Sequence, residues 1–172
     1  PARLAGVVLN DIGPEVDPRG LQRIDSYVGR LPPVTSWSEA AAQARQVHAI
    51  AMPDFTDADW LYFAQCTNRN DDSGRPVPDM DRRIGDAMRA APAASSVDLW
   101  PLFAVLAAIP TLVIRGALSD ILSEATLAKM QAAKPDLRAL VVPNRGHAPT
   151  LDEAPCRRAI RELLDAASVG QR

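Results

Sequence analysis

Three short apolar runs constrain the fold of this chain more than any other feature of its sequence. They are LAGVVLN at residues 4–10, TLVIRG at 111–116 and LRALVVP at 137–143. Each is nearly continuous in apolar residues and rich in Val, Leu or Ile, a pattern typical of strands that are buried on both faces of a parallel sheet. The sequence therefore predicts three parallel strands.

Helical patterns follow the second and the third run. The first helix is predicted to begin behind Ser123 as its N-cap, with Glu124 near the positive end of the helix dipole, and to end before Pro135. The second is predicted to begin near Asp152 and to accommodate Pro155 in its first turn. Repeated strand–helix order indicates the α/β class, with helices flanking a parallel sheet.

The long segment between the first two runs is predicted to be mostly helical. Ser38 is expected to cap an Ala-rich helix, Asp57 to begin a second helix, and the polar stretch at 68–79 to form a loop. We assign residues 14–105 to a helical cap, and residues 1–13 and 106–172 to the core that contains the sheet. An insertion at this point is expected to cover the carboxyl edge of the sheet, where open α/β folds bind ligands.

Composition excludes several classes of function. The net charge is −2 with a pI near 5.7, and no basic patch is present, so we expect neither nucleic acid nor an anionic membrane as a partner. Cys66 and Cys156 lie far apart without metal-ligand spacing, and are expected to be reduced thiols of a cytoplasmic protein. The longest apolar run is far shorter than the roughly 20 residues of a membrane span. We expect a small-molecule substrate, no metal and no cofactor.

Two polar side chains are candidates for catalysis because each follows a predicted strand. Asp120 lies in the loop after residues 111–116, and His147 in the loop after 137–143. A carboxylate that accepts one imidazole N–H fixes the tautomer, and the second nitrogen can then take a proton from a nucleophile. Asp11, after the first strand, is a second candidate for the acid and ranks below Asp120. The alternative is a loop histidine bonded to backbone and an aspartate that caps the next helix.

The chain offers no evident nucleophile for this base. No serine is flanked by the glycines of a G-x-S-x-G elbow, and Cys66 has no cationic neighbour that would favour its thiolate. Aromatic residues of the insertion are expected first to fill the core of the cap, although the same residue types line apolar substrate pockets. The candidates for such a pocket are Trp37, Trp60 and Tyr62.

The segments LAGVVLNDIGPEV, RGALSDIL and LVVPNRGHAPTLDEAP, taken in this order, resemble the C-terminal portion of the α/β-hydrolase-fold superfamily. The resemblance extends over essentially the whole chain. It implies that the three runs are the sixth, seventh and eighth strands of the hydrolase sheet and that residues 14–105 are its cap. It further implies that Asp120 and His147 are the acid and the base of a catalytic triad.

The same resemblance implies that the nucleophile elbow lies upstream of Pro1, in an N-terminal half that this chain lacks. We expect the complete protein to be an esterase-like serine hydrolase that cleaves an ester-like or C–C bond of a small apolar substrate, and the chain alone to be inactive. Two alternatives stay open. One is an aspartate nucleophile, as in epoxide hydrolases and dehalogenases; the other is a hydrolase-derived module that binds or complements without catalysis.

Overall fold

The computed structural model describes residues 4–81, 83–90 and 98–169, and these form five strands and seven helices. The strands are β1 (Val7–Asn10), β2 (Asn68–Asn70), β3 (Pro76–Pro78), β4 (Thr111–Gly116) and β5 (Arg138–Val142). The helices are α1 (Pro18–Tyr27), α2 (Trp37–His48), α3 (Asp57–Thr67), α4 (Arg83–Ala90), α5 (Trp100–Ala104), α6 (Glu124–Ala133) and α7 (Ala154–Val169). No helix among these residues is long and apolar enough to cross a membrane.

The three apolar runs form a parallel sheet in the order β1-β4-β5, which confirms the predicted strands and the α/β class. All six residues of the central strand β4 are buried. Its side chains alternate between two clusters: Val113 packs with residues of α5 and α6, whereas Leu112 and Ile114 pack with residues of α7. Burial on both faces explains why this central run is almost continuously apolar instead of alternating. The expected burial on both faces does not hold for the outer strands, because the residues of β1 are half-buried and three of the five residues of β5 are exposed.

The helix boundaries follow local capping chemistry. Ser123 accepts a hydrogen bond from the Thr126 backbone N–H and caps α6, as predicted. The predicted cap of α2 was wrong by two positions, because Ser36 and not Ser38 accepts from the backbone N–H of Glu39. Ser36 has the extended backbone that an N-cap requires, and this backbone conformation cannot be distinguished from the sequence alone.

The stretch 68–79 is not simply a loop, because it contains the antiparallel hairpin β2–β3. Asp71 holds its turn by accepting hydrogen bonds from the backbone N–H groups of Ser73 and Arg75. Gly74 adopts a φ of +81°, which a residue without Cβ tolerates at little cost. The two strands are only three residues long, NRN and PVP, and lack the apolar alternation by which strands are recognised.

The chain divides into two compact units, and their limits differ from the predicted cap of 14–105. The sheet unit comprises Pro1–Gly20 and Ser96–Arg172, and the helical unit comprises Leu21–Ser95. Both ends of the predicted cap pack within the sheet unit. Glu15 accepts hydrogen bonds from Trp100 Nε1 at 2.9 Å and from Lys129 Nζ at 3.0 Å, and Phe103 is buried in the α6 cluster.

The helical unit has its own aromatic core. Trp60 is buried there with Ala51 and Met52, and Phe55 and Phe63 pack against this group. His48, at the end of α2, lies between the rings of Tyr27 and Phe63, with 5.3 Å from its ring centroid to each. Burial, together with the positive charge of Arg23, lowers the pKa of His48 to about 4.

We predict that His48 makes the stability of the chain depend on pH. Its pKa is lower in the folded state than the ordinary value of 6.5, so the unfolded chain binds the proton more tightly and stability falls as the pH drops from about 6.5 toward 4. After allowance for partial exposure, His48→Gln should reduce the difference in unfolding free energy between pH 7 and pH 5 by about 1 kcal/mol. Urea denaturation at both pH values measures it. An unchanged difference in the variant would contradict the assignment.

Candidate active site

Asp11 follows β1 directly and turns its carboxyl group toward the end of β4. Its φ of +57° lies in the left-handed region, which Asp tolerates better than most residues with a side chain. Its backbone N–H donates to the carbonyl oxygen of Ile114 at 2.7 Å and so continues the pairing of β1 with β4. The residue is fully buried. A buried carboxylate at a strand end requires compensation by hydrogen-bond donors.

Three donors meet the Asp11 carboxylate. The backbone N–H of Gly116 donates to Oδ1 at 2.7 Å, and the Ser119 hydroxyl donates to Oδ2 at 2.6 Å. The third partner is His147, whose Nδ1 lies 2.9 Å from Oδ2. Hydrogen bonds to an ionised acceptor are among the strongest in proteins, so these contacts supply the compensation that a buried carboxylate requires.

The contacts of His147 fix its tautomer. Nδ1 faces only acceptors here, namely Oδ2 of Asp11 and the Asp11 carbonyl oxygen at 3.2 Å. Nδ1 therefore carries the hydrogen in the neutral ring, and Nε2 holds the lone pair. The side chain retains 24% of its exposure. An imidazole held in this way can accept a proton at Nε2.

The loop that carries His147 is held from both of its sides. Asn10 Nδ2 donates to the Pro149 carbonyl oxygen at 3.0 Å, and Arg145 Nε donates to Glu153 Oε1 at 2.7 Å in a largely buried ion pair. Burial would raise the pKa of Glu153, but hydrogen bonds from its own backbone, from Arg145 and from Thr150 outweigh burial and lower it. The ion pair thus persists through the neutral range and anchors the loop.

The structure does not bring Asp120, the aspartate preferred from the sequence, to the imidazole of His147. The carboxylate that meets Nδ1 of His147 is that of Asp11, ranked second, and not that of Asp120. Asp120 lies beyond the turn after β4, where it lines a shallow surface depression with Asp17 and Arg19, and the charge of Arg19 acts on it. The side chain of this turn that contacts the Asp11 carboxylate is that of its neighbour Ser119.

Comparisons with known proteins support the assignment of the fold. No protein-family model matches the chain. An alpha/beta hydrolase of Novosphingobium aromaticivorans has a crystal structure that superposes with a TM-score of 0.87 at 44% identity, over 96% of this chain and 58% of that one. The chain folds as the C-terminal portion of an α/β hydrolase.

Two further relatives are consistent with this hydrolase fold. A 3-hydroxybutyrate-oligomer hydrolase of Cupriavidus necator is 30% identical over 151 residues, which are 84% of this chain and 51% of that protein. An esterase of M. tuberculosis superposes with a TM-score of 0.63 at 20% identity, over 94% of this chain and 54% of that one, and shows the fold alone. The chain thus spans little more than half the length of the relatives it matches.

The aromatic residues predicted to line a substrate pocket have different surroundings within the helical unit. Trp60 is buried in the aromatic core of this unit and packs edge-on against Phe55. Tyr62 is 57% exposed on α3, and Trp37 is partly buried at the first position of α2. The structure therefore gives Trp60 a packing role, while a pocket role for Tyr62 and Trp37 stays a prediction.

Sequence analysis missed the contributions of Gly116 and Ser119. Gly116 ends β4, and an added Cβ there would stand 2.4 Å from the Arg145 carbonyl oxygen and 2.5 Å from that of Gly146. The His147 loop can pack against the strand end only because residue 116 has no side chain. The glycine directly after an apolar run was the available signal, but its contact is made with a loop about thirty residues further along the chain.

We predict that Gly116→Ala disrupts the site by pushing the His147 loop away from β4. Since the clash is with backbone atoms, relief requires movement of the loop, and we expect a loss of about 3 kcal/mol or more in unfolding free energy. Gly6→Ala is the matched control, because an added Cβ there would stand 3.4 Å from Leu163 Cγ and from the Pro110 carbonyl oxygen, which is ordinary contact distance. Thermal and urea unfolding compare the two. Equal stability of both variants would contradict the packing described.

The cysteines of this hydrolase fold differ in accessibility. Cys156 on α7 is buried, and burial together with the nearby Glu153 carboxylate raises the pKa of its thiol to about 11. Cys66 is exposed. A buried thiol with a raised pKa is a poor nucleophile.

The described residues contain no group of three or more His, Cys, Asp or Glu side chains that could hold a metal ion.

We predict that a thiol reagent distinguishes the two cysteines. Iodoacetamide at pH 7.5 should modify Cys66 in the native chain and should modify Cys156 only after denaturation, since modification requires an accessible thiolate. Peptide mass spectrometry locates the modified residue. Rapid native modification of Cys156 would show that its thiol is neither buried nor protonated as described.

Proposed function

We propose that this chain provides the acid and the base of a carboxyl-ester hydrolase, Asp11 and His147, and that a serine outside residues 1–172 provides the nucleophile. One observation carries the proposal: the buried Asp11 carboxylate accepts from Nδ1 of His147 and leaves Nε2 as the basic nitrogen. A carboxylate–imidazole pair of this geometry is the means by which serine hydrolases hold the histidine in the required tautomer and orientation and stabilise the imidazolium that forms.

The proposed reaction has two steps. Nε2 of His147 takes the proton of the serine hydroxyl as this oxygen attacks the ester carbonyl, and then returns it to the departing alcohol. In the second step water attacks the acyl-enzyme and transfers a proton to Nε2; the acyl–serine bond then breaks, the serine oxygen takes this proton back, and the carboxylic acid is released. Asp11 stays ionised throughout, orients the ring through Nδ1 and stabilises the transient imidazolium.

The nucleophile is placed elsewhere because the described residues do not offer one at this site. Within that part of the chain, both hydrogen-bond partners of the His147 ring are atoms of Asp11. Ser119 is nearby, but its hydroxyl donates to Asp11 and accepts from two backbone N–H groups. Cys156 is buried with a thiol pKa near 11. These contacts support a nucleophile contributed by another segment.

Ester cleavage is favoured over C–C cleavage by the identity of the relatives. The Cupriavidus protein acts on an oligomer of 3-hydroxybutyrate, and hydroxy-acid units in an oligomer are joined by ester bonds. The Novosphingobium protein, at 44% identity, is an alpha/beta hydrolase. We therefore extend to this chain a short aliphatic ester as the substrate class. Because the Cupriavidus relative is named for an oligomer joined by ester bonds, we propose a serine nucleophile and do not propose epoxide or haloalkane substrates.

We predict that Asp11→Asn and Asp120→Asn have very different effects on ester hydrolysis. Both variants are isosteric, and they are compared in the natural polypeptide with p-nitrophenyl butyrate and the linear 3-hydroxybutyrate dimer. Asp11→Asn removes the acceptor that fixes the tautomer of His147 and should lower kcat by on the order of 10³- to 10⁴-fold. Asp120→Asn should stay within about threefold of wild type, since the residue does not meet the imidazole.

Circular dichroism and thermal unfolding verify that both variants are folded. A large loss in Asp120→Asn with a small loss in Asp11→Asn would restore Asp120 as the acid and refute the present assignment. Absence of turnover in the folded wild-type protein on both esters would overturn the ester-hydrolase proposal and favour a binding module.

A further inference from the structure

Ser119 lies at the centre of three hydrogen bonds beside the proposed acid. Its hydroxyl donates to Asp11 Oδ2 at 2.6 Å and accepts from the backbone N–H groups of Ile121 at 3.1 Å and Leu122 at 3.0 Å. The residue belongs to the turn between β4 and α6, whereas Asp11 belongs to the loop after β1. Ser119 thus connects two strand ends at the atom that also meets His147.

The two backbone contacts determine where the hydroxyl hydrogen points. A serine hydroxyl has one hydrogen and two acceptor lone pairs, and at Ser119 both lone pairs face backbone N–H groups. The hydrogen is then left for Asp11 Oδ2. The direction of the Ser119 O–H bond is therefore set by the backbone of the turn. It is fixed before a substrate binds.

A donor of fixed direction restricts the Asp11 carboxylate. The last torsion of an aspartate is soft, so a carboxylate held at one oxygen can rotate about its Cβ–Cγ bond. The Gly116 N–H holds Oδ1, and the Ser119 hydroxyl holds Oδ2. With both oxygens held, Oδ2 stays at 2.9 Å from Nδ1 of His147.

We propose that Ser119 is a positioning residue that keeps Oδ2 of Asp11 directed at Nδ1 of His147, an inference that rests on the proposed function of this pair. It acts through Asp11, whose atoms are the hydrogen-bond partners of the His147 ring among the described residues. The role proposed for Ser119 involves no contact with the substrate. Loss of its hydroxyl should therefore lower turnover and leave substrate binding unchanged.

The variants that test this role must separate it from support of the turn. Ser119→Ala removes both the donor to Asp11 and the acceptor of two N–H groups, and Ser119→Thr retains the hydroxyl for both. Ser123→Ala is the matched control, because Ser123 Oγ caps α6 in the same turn by accepting from the Thr126 N–H. It removes a comparable backbone contact without touching Asp11.

Steady-state hydrolysis of p-nitrophenyl butyrate by the natural polypeptide gives the first measurement. We expect Ser119→Ala to lower kcat by about tenfold or more while KM stays within about twofold, because only the orientation of the general base is affected. Ser119→Thr should recover most of kcat, and Ser123→Ala should resemble wild type. Equal kcat values for wild type and Ser119→Ala would overturn the proposal, as would equal losses in Ser119→Ala and Ser123→Ala.

Proton NMR gives a second measurement that does not require turnover. The Nδ1 proton between His147 and Asp11 should give a downfield signal, assigned by its absence in His147→Gln. Ser119→Ala should shift this signal upfield or broaden it, whereas Ser119→Thr and Ser123→Ala should preserve it. An unaltered signal in Ser119→Ala would refute the positioning role.

The two measurements also separate this inference from the function on which it rests. If wild type hydrolyses no ester but the Nδ1 signal depends on Ser119 as described, the proposed function fails and the positioning of Asp11 stands. If wild type is active but neither kcat nor the signal depends on Ser119, the positioning role fails and the proposed function stands.

Discussion

The buried carboxylate of Asp11 is the group on which the arrangement of the site depends. Removing an ionised carboxylate from water costs several kcal/mol, and only well-placed donors offset this cost. The three donors described come from the end of β4, from the turn that follows it and from the loop after β5. The Asp11 carboxylate therefore holds three separate segments together through its hydrogen bonds. One of these bonds also orients the His147 ring.

Parallel topology brings these segments together. Because β1, β4 and β5 run in the same direction, their carboxyl ends meet at one edge of the sheet, where ligand sites of open α/β folds occur. Each strand then contributes one part: Asp11 after β1, Gly116 at the end of β4 and His147 beyond β5. The glycine allows the His147 loop to approach the strand end, and the Arg145–Glu153 pair holds this loop in place.

The strands could be predicted from the sequence, whereas the aspartate that meets His147 could not. Nearly continuous apolar runs identified the parallel strands, and in β4 burial on both faces accounts for the lack of alternation. Ser123 could be recognised as a cap from its local pattern. Which aspartate meets His147 depends on the left-handed φ at Asp11 and on the contact that Ser119, the neighbour of Asp120, makes with the Asp11 carboxylate. Neither property produces a periodic pattern in the sequence.

The hairpin β2–β3 was missed for a related reason, since its pairing depends on the Asp71 turn and not on apolar residues.

The central claim is that His147 is the base for a serine that lies outside residues 1–172. Labelling the natural polypeptide with a fluorophosphonate, followed by peptide mass spectrometry, tests this claim most directly. We expect one serine to be modified, at a position outside residues 1–172. We also expect the label to be lost in His147→Gln. Modification of a serine within residues 1–172, or labelling that persists without the imidazole, would contradict it.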